Sequence, residues 1–339
     1  MSSLPAFDPP RGYVTAASLA DRLDTPFPRR VLLGFSGGAD SRSLLDLLVA
    51  EGFDVTPLHV NHMIRGEEAE RDEVFCRETA AGYRLECVTV RADVPAEAVR
   101  NGEGVEEAAR IIRYRIFSEV MKERGIGLLA TAHNASDNAE TFLLNAVRGA
   151  SARGARGIPQ VRACGGGYVI RPLLRTLRED IVAYCESHGL SYITDSTNAD
   201  VRYSRNRIRH KVMPELCAVN SGAVEALGRL CEEIAADSAL LDSMAGEELE
   251  KRKLPDGRTD LSGEIPAPIL GRIIVSAARA NGANPESRHI KDIENALCAG
   301  RDIRITLPGS VTATLARGIL GFRKDLREKH VRQTGCGNQ

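Results

Sequence analysis

The sequence predicts an α/β fold: a parallel sheet with helices on both faces, followed by a smaller, mostly helical α+β domain. Three observations predict it. Up to about residue 200, strand-like apolar runs alternate with helix-period runs, the sequence form of β-α-β units. A glycine-rich loop, Ser36-Gly37-Gly38-Ala39-Asp40-Ser41, joins the first strand-like run to the first helical one. From about residue 212 the alternation stops, and helical runs lead to a hairpin-like end.

Taken in order, residues 1–27 read as an N-terminal extension and Arg30 to Phe35 as a short buried strand. Leu44, Leu45, Leu47 and Leu48 fall on one face of a helix that reaches Ala50. DVTPLHV (54–60) predicts a second strand, leading past NHMIRG to a helix over 67–83. RLECVTVRA (84–92) predicts a third, followed by a helix over 105–125, and GLLATAH (127–133) a fourth, followed by a helix over 137–149. In such sheets ligands sit beyond the C-terminal strand ends, where the hexapeptide, His59-Val60-Asn61-His62 and His133 all fall. Residues 149–168 break the pattern with glycines and arginines, and read as a mobile basic loop near the site or as a plain linker. Helices are expected over 222–252, 267–281 and 286–299, then the hairpin-like 303–324. The expected boundaries are a first domain over 28–215, a second over 216–326 and a tail over 327–339.

A chain of 339 residues with 43% hydrophobic and 27% charged residues has the composition of a globular protein with a core in each of two domains. No run approaches 18 apolar residues, and the N-terminus lacks a basic region followed by an apolar one, so the expectation is a cytoplasmic protein without a membrane partner. Eight scattered cysteines without any C-x-x-C pair argue for free thiols rather than zinc ligands or disulfides. A net charge of −1 gives no global sign of nucleic-acid binding, yet two arginine-rich segments, 148–178 and 202–211, supply local ones. Sparse aromatics and the absence of Trp argue against a stacking platform for single-stranded RNA.

The hexapeptide is neither a P-loop, for it lacks Gly-Lys-Ser/Thr, nor a G-x-G-x-x-G turn. Ser36 and Ser41 can donate to phosphate oxygens, and glycine lets phosphate approach the backbone. Asp40 would repel phosphate, which makes sense chiefly if it holds Mg²⁺ against a pyrophosphate. The plainer reading is a strand-to-helix turn capped by Ser or Asp. Histidine and asparagine at 59 and 61 read an adenine edge or fix a loop. Arg110 and Arg113, three apart on one helix, could clamp phosphates or a carboxylate, while Glu106 with Arg110 is also an ordinary i,i+4 ion pair. Asp137 and Glu140 share a helix face four residues after His133, or stand as an acidic N-cap and its N3 partner.

The hexapeptide resembles the SGGxDS motif of the PP-loop ATP pyrophosphatases, which split ATP between the α and β phosphates and adenylate a substrate. With HVNHMIRG, EEAARIIRY, the run His133, Asp137, Glu140, Thr141, then Arg148-Gly149, RPLL (171–174), DSTN (195–198), RNRIR (205–209) and a tail from His289 to Phe322, the chain resembles the tRNA(Ile)-lysidine synthetase family. Members often carry His-Asp-Asp-Gln-like residues where this chain has Asn134, Ser136 and Asn138.

That resemblance implies a PP-loop (adenine nucleotide alpha hydrolase-like) catalytic domain over 28–215 and a tRNA-binding domain over 216–326. It implies ATP-dependent ligation of free L-lysine to the wobble cytidine of tRNA(Ile) with a CAU anticodon, through an adenylated cytosine, with release of AMP and PPi. Residues 36–41 with His59, Asn61 and Arg110 would hold ATP; Asp40 and Asp137 would hold Mg²⁺. Asp40, Arg113, His133, Asp137 and Glu140 would be catalytic, with Arg113 facing charge on the α-phosphate, and Arg148, Arg205 and Arg209 would contact substrate. Presenting the lysine ε-amine neutral at pH 7 costs roughly 4.6 kcal/mol, so His133, Asp137 or Glu140 would act as base, unless these groups hold Mg²⁺ or the ammonium instead. A homodimer is one assembly compatible with this reading. The nearest rival is a PP-loop thiolase acting on tRNA, a class that generally shows cysteine pairs; a non-catalytic tRNA-binding module would not need Asp40, Asp137 and Glu140.

Overall fold

The computed structural model describes residues 7–23, 29–194 and 204–324, so the DSTN segment, Arg202 and the tail beyond 324 lie outside the described residues. The chain divides between Ile234 and Ala235 into two compact units.

The first unit opens with α1 (Ala16–Ala20), then β1 (Arg30–Gly34), α2 (Ala39–Ala50), β2 (Asp54–Asn61) and α3 (Glu67–Gly82). β3 (Val88–Arg91), α4 (Val94–Asn101), α5 (Val105–Arg124), β4 (Leu128–Ala130) and α6 (Ala135–Val147) follow. α7 (Ala152–Ala155), β5 (Val161–Cys164), β6 (Gly167–Ile170), α8 (Arg178–Ser187), α9 (Ser204–Arg207), a π-helical turn (Ile208–Val212) and α10 (Met213–Val219) come next, before α11 (Ala223–Arg252), in which the division between the units falls.

Six strands form one sheet in the order β3-β2-β1-β4-β6-β5, parallel except for the β5–β6 pair. β1 shows why helices cover both faces. Its alternate side chains go to opposite sides: Val31 and Leu33 enter one core with Leu44 and Leu47, while Leu32 enters another with Ile112 and Ile116. All three are fully buried, each contributing about 1.5–3 kcal/mol. α1 belongs to the first of these cores through Ala16 and Leu19, and Glu51 accepts hydrogen bonds from the backbone of Ala16 and Ala17.

Three expectations are corrected. Residues 149–168 are not one long loop: α7 and a β-hairpin occupy much of the stretch, and β6 extends the sheet beside β4. Gly165 and Gly166, at φ +59° and +83°, form the two-residue turn that a tight hairpin requires. The third strand is confined to Val88–Arg91, and α4, absent from the sequence reading, follows it with Asp93 as N-cap. The fourth strand stops at Ala130, three residues before His133.

In the second unit α12 (Ala267–Ala280) and α13 (Ser287–Cys298) pack on an antiparallel sheet. It is made of β7 (Thr259–Asp260), β8 (Ile303–Leu307), β9 (Val311–Ala316) and β10 (Ile319–Lys324), in the order β7-β10-β9-β8. α12 buries Ile269, Leu270, Ile273, Ile274 and Ala277, a helix-period stripe against Leu307, Val311 and Leu315. No helix among the described residues is long and apolar enough to cross a membrane.

The hairpin's place in the sheet is testable at Gly167, where a Cβ would lie 2.1 Å from the backbone oxygen of Gly127. Gly167→Ala should destabilise the first unit by about 1–3 kcal/mol, read as a lower urea midpoint; an unchanged midpoint would mean that β6 does not pair there.

Candidate active site

The loop after β1 is closed by its own serines. Ser41 Oγ accepts from Ser36 N at 3.2 Å, lies 3.1 Å from Ser36 Oγ and donates to the Gly38 carbonyl at 3.1 Å. Gly37 stands at φ +81°, and a Cβ there would meet Ile193 Cδ1 at 2.6 Å. Gly38 is the N-cap of α2 and makes no side-chain cap, so the first N–H groups of the helix are left for another acceptor. A Cβ at Gly38 would meet nothing closer than 3.7 Å, so glycine here keeps the approach open rather than relieving a clash.

Asp40, in the first turn of α2, is held from two sides. Arg178 Nη1 donates to Oδ2 at 2.7 Å and Asn134 Nδ2 to Oδ1 at 3.1 Å. Burial pushes its pKa up; Arg178 opposes that, and the negative charge of Asp137 adds to it.

Asn134 also begins α6. Its Oδ1 accepts from Asp137 N and its backbone N donates to Asp137 Oδ2, both at 3.0 Å, which makes a capping box. The helix thus starts earlier than the sequence reading placed it, and Asp137 is N3 rather than N-cap. Asp137 and Glu140 then share a face, where two arginines meet them. Arg205 donates to Asp137 Oδ1 at 2.8 Å and to Glu140 Oε2 at 2.9 Å. Arg209 donates to Glu140 Oε1 at 2.6 Å and to Asp137 Oδ1 at 3.2 Å. Glu140 is only 1% exposed. Burial pushes the Asp137 pKa up, but Arg205, His133, the Asn134 backbone and Arg209 together hold it below the usual carboxylate range.

The π-helical turn that carries Arg209 has a local cause in Pro214. Proline has no N–H to give the carbonyl four residues back, and the helix widens so that Met213 N bonds to Ile208 O.

His133 lies just before the cap, with Nδ1 3.0 Å from Thr131 Oγ1. Burial first, then Arg171, Arg205 and Arg113, press its pKa down against the pull of Asp137, so it is a neutral imidazole at pH 7. Across the site at the end of β2, His59 Nδ1 lies 3.0 Å from the Phe35 carbonyl, buried beside Cys76. Asn61 donates to Ala69 O and Glu73 Oε2 and accepts from Met63 N, so its amide is engaged in fixing the following loop. Arg113 donates to His62 Nε2 at 3.1 Å. Arg110 borders a shallow cavity of about 410 Å³ with Tyr114 and Arg162, whose guanidinium covers the Tyr114 ring at 5.0 Å.

The structure therefore joins Asp40, Asp137, Glu140, Arg205 and Arg209 in one network, with His133 at its edge. Arg148 is not part of it: it stands exposed as the C-cap of α6, roughly 16 Å along the helix from Asp137. Sequence reasoning missed Asn134, His62 and Arg178 as members of the site. An N-cap residue three positions before an acid was a readable signal for Asn134; nothing local singles out Arg178 within its basic segment. Among the described residues no group of three or more His, Cys, Asp or Glu could hold a metal ion by itself.

A family model described as a PP-loop domain matches residues 14–216. A tRNA(Ile)-lysidine synthase of Geobacillus kaustophilus is 37% identical over 253 residues, 72% of this chain and 54% of that protein. One of Deinococcus radiodurans is 34% identical over 308 residues, 91% of this chain and 50% of that protein. The chain spans about half the length of these relatives. Among solved structures, the U34-tRNA thiolase NcsA of Methanococcus maripaludis with its [4Fe-4S] cluster aligns at a TM-score of 0.52 and 20% identity. The alignment covers 65% of this chain and 77% of that one, a likeness of fold.

Two outcomes follow from the charges. Arg209→Met should cost on the order of 3 kcal/mol in urea unfolding, because it strips one partner from the buried Glu140; a change of a few tenths would mean that Arg205 alone suffices. His62 has its pKa lowered from 6.5 to about 4, by burial and then by Arg113. Its unfolded form therefore binds a proton between those values that the folded form does not, and stability present above pH 6.5 is lost as the pH falls towards 4. His62→Asn should flatten the stability profile in that window.

Proposed function

This chain belongs to the PP-loop domain family, and we propose that it ligates free L-lysine to the wobble cytidine of an isoleucine tRNA with a CAU anticodon, consuming ATP and releasing AMP and PPi. The observation that carries this reading is the Asn134 bridge: it ties Asp40 of the Ser-Gly-Gly loop to the helix bearing Asp137 and Glu140, so that a phosphate cradle and an ammonium-binding carboxylate pair form one site. The substrate class comes from the relatives named tRNA(Ile)-lysidine synthase, 37% and 34% identical. Likeness to the thiolase is one of fold at 20% identity and gives sulfur delivery no residue-level support.

In this reading Ser36 Oγ and the free N–H groups at the start of α2 take the triphosphate. Asp40 and Asp137 are near enough for one to raise the pKa of the other, and their oxygens have lone pairs beyond those the hydrogen bonds use. They fit Mg²⁺, which when bound would offset that repulsion and polarise the phosphates. Arg113, oriented by His62, faces charge building on the α-phosphate. Attack by the cytosine carbonyl oxygen on that phosphorus expels PPi and leaves the base adenylated. The lysine nitrogen then forms the C–N bond as the C–O bond to AMP breaks.

Asp137, held below the usual carboxylate range, and His133, a depressed imidazole, are weak bases against an ammonium of pKa near 10.4. Their part is to hold and orient the amine, whose proton becomes acidic once the C–N bond forms. Glu140, fixed by Arg205 and Arg209, shares that task. The arginine-rich 148–178 segment and the second unit would hold tRNA, with binding that weakens steeply as salt rises.

Incubation with ATP, labelled lysine and the CAU-anticodon isoleucine tRNA transcript should place label in RNA, whereas the matched methionine tRNA should stay unlabelled. No label in either transcript would sink the proposal. Asp40→Asn should abolish PPi release with tRNA affinity nearly unchanged, as judged by filter binding.

A further inference from the structure

We infer that Asn134 is a positioning residue that sets the carboxylates of Asp40 and Asp137 against one another, a role separate from capping α6. All three of its polar groups are used. Oδ1 takes the Asp137 N–H and the backbone N–H goes to Asp137 Oδ2, which completes the capping box. The remaining group, Nδ2, donates to Asp40 Oδ1 at 3.1 Å, across 94 residues of sequence, and does nothing for the helix. The side chain is 3% exposed, so water does not substitute for these partners.

Residue type separates the two roles. Ser, Thr, Asp and Asn all cap helices well. Of these, Asn alone carries an acceptor for the Asp137 N–H and, on the same rigid plane, an N–H donor for a carboxylate. Its orientation is forced, since Oδ1 towards Asp40 would face a negative charge and Nδ2 towards an N–H would pair two donors. Aspartate here would cap equally well and set a third carboxylate against Asp40. The residue is thus chosen by Asp40 rather than by the helix terminus.

Asp40 is consequently fixed on Oδ1 by Asn134 and on Oδ2 by Arg178. Asp137 is fixed on Oδ2 by the Asn134 backbone and on Oδ1 by Arg205 and Arg209. One residue therefore touches both carboxylates and determines their mutual orientation, which any ligand spanning them meets already formed.

The functional readout rests on the ATP reading above, and the structural readout does not. Asn134→Ser and Asn134→Asp keep the cap, so thermal midpoints should stay near that of the unmodified protein. Affinity for ATP with Mg²⁺, by titration calorimetry, should fall about tenfold in Asn134→Ser, the loss of one hydrogen bond to a charged acceptor, and further in Asn134→Asp. In an Asp40→Asn background Asn134→Ser should cause no additional loss. Unchanged affinity, an equal loss in both backgrounds, or a loss matched by a collapsed thermal midpoint would overturn the inference. If the unmodified protein binds no ATP, the proposed function fails instead. Crystal structures of ligand-free protein and Asn134→Ser then decide: Asp40 should turn away from position 134 in the variant, and an unmoved carboxylate would refute the positioning role.

Discussion

A buried carboxylate has to be paired, and Glu140 is the group on which the site turns. At 1% exposure its charge is tolerable only because Arg205 and Arg209 reach it, and both arrive from a segment more than sixty residues later. That requirement dictates the packing around it. Ala139 on α6, Ile208 in the π-helical turn and Met213 on α10 form a small apolar cluster, with Leu143, Leu144 and Leu216 packed against it. Hydrophobic contact brings the helices together, and the charges fix their register. Ion pairs of this kind add little net stability over an apolar core; they favour one arrangement of the helices over its neighbours.

The pairing extends past Glu140. Arg178 balances Asp40, while Arg205 and Arg209 balance Asp137 and Glu140, so the network is neutral before any ligand arrives. A triphosphate and an ammonium carry opposite charges and enter a neutral site without either being repelled by an uncompensated field. His133 suits the same logic, because a neutral imidazole adds no charge beside three arginines.

How much of this was legible depended on whether it was local. The β1–loop–α2 unit was readable because its signals, an apolar run, two glycines and a leucine face, are neighbours in sequence. The shared face of Asp137 and Glu140 was readable for the same reason, although the helix start was misplaced because Asp137 as N3 and Asp137 as N-cap look alike without Asn134 in view. Arg205 and Arg209 stood out as basic residues, but their partners are set by tertiary packing, and a guanidinium facing a carboxylate has the same sequence signal as one awaiting phosphate. Glycine density misled at 149–168, where two of the glycines make a hairpin turn instead of a loop. Asn61 carried two readings, and its three internal hydrogen bonds favour the loop-fixing one.

The sheet explains why the two halves of the site meet. Strand order reverses direction at β1 and β4, which pair directly through Leu32 with Leu129 and Leu33 with Ala130. Brändén-type crevices open at such reversals, and here the chain leaving β1 starts α2 while the chain leaving β4 leads into α6. Two helix N-termini therefore border one crevice, and they are finished differently. Gly38 leaves α2 uncapped, so its N–H groups favour an anion. Asn134 satisfies α6 internally, so what that helix presents is not N–H groups but the carboxylates of Asp137 and Glu140, which favour a cation. A single difference in capping thus gives adjacent walls of the crevice opposite preferences, and the hydrogen bond from Asn134 to Asp40 is where those walls are fastened together.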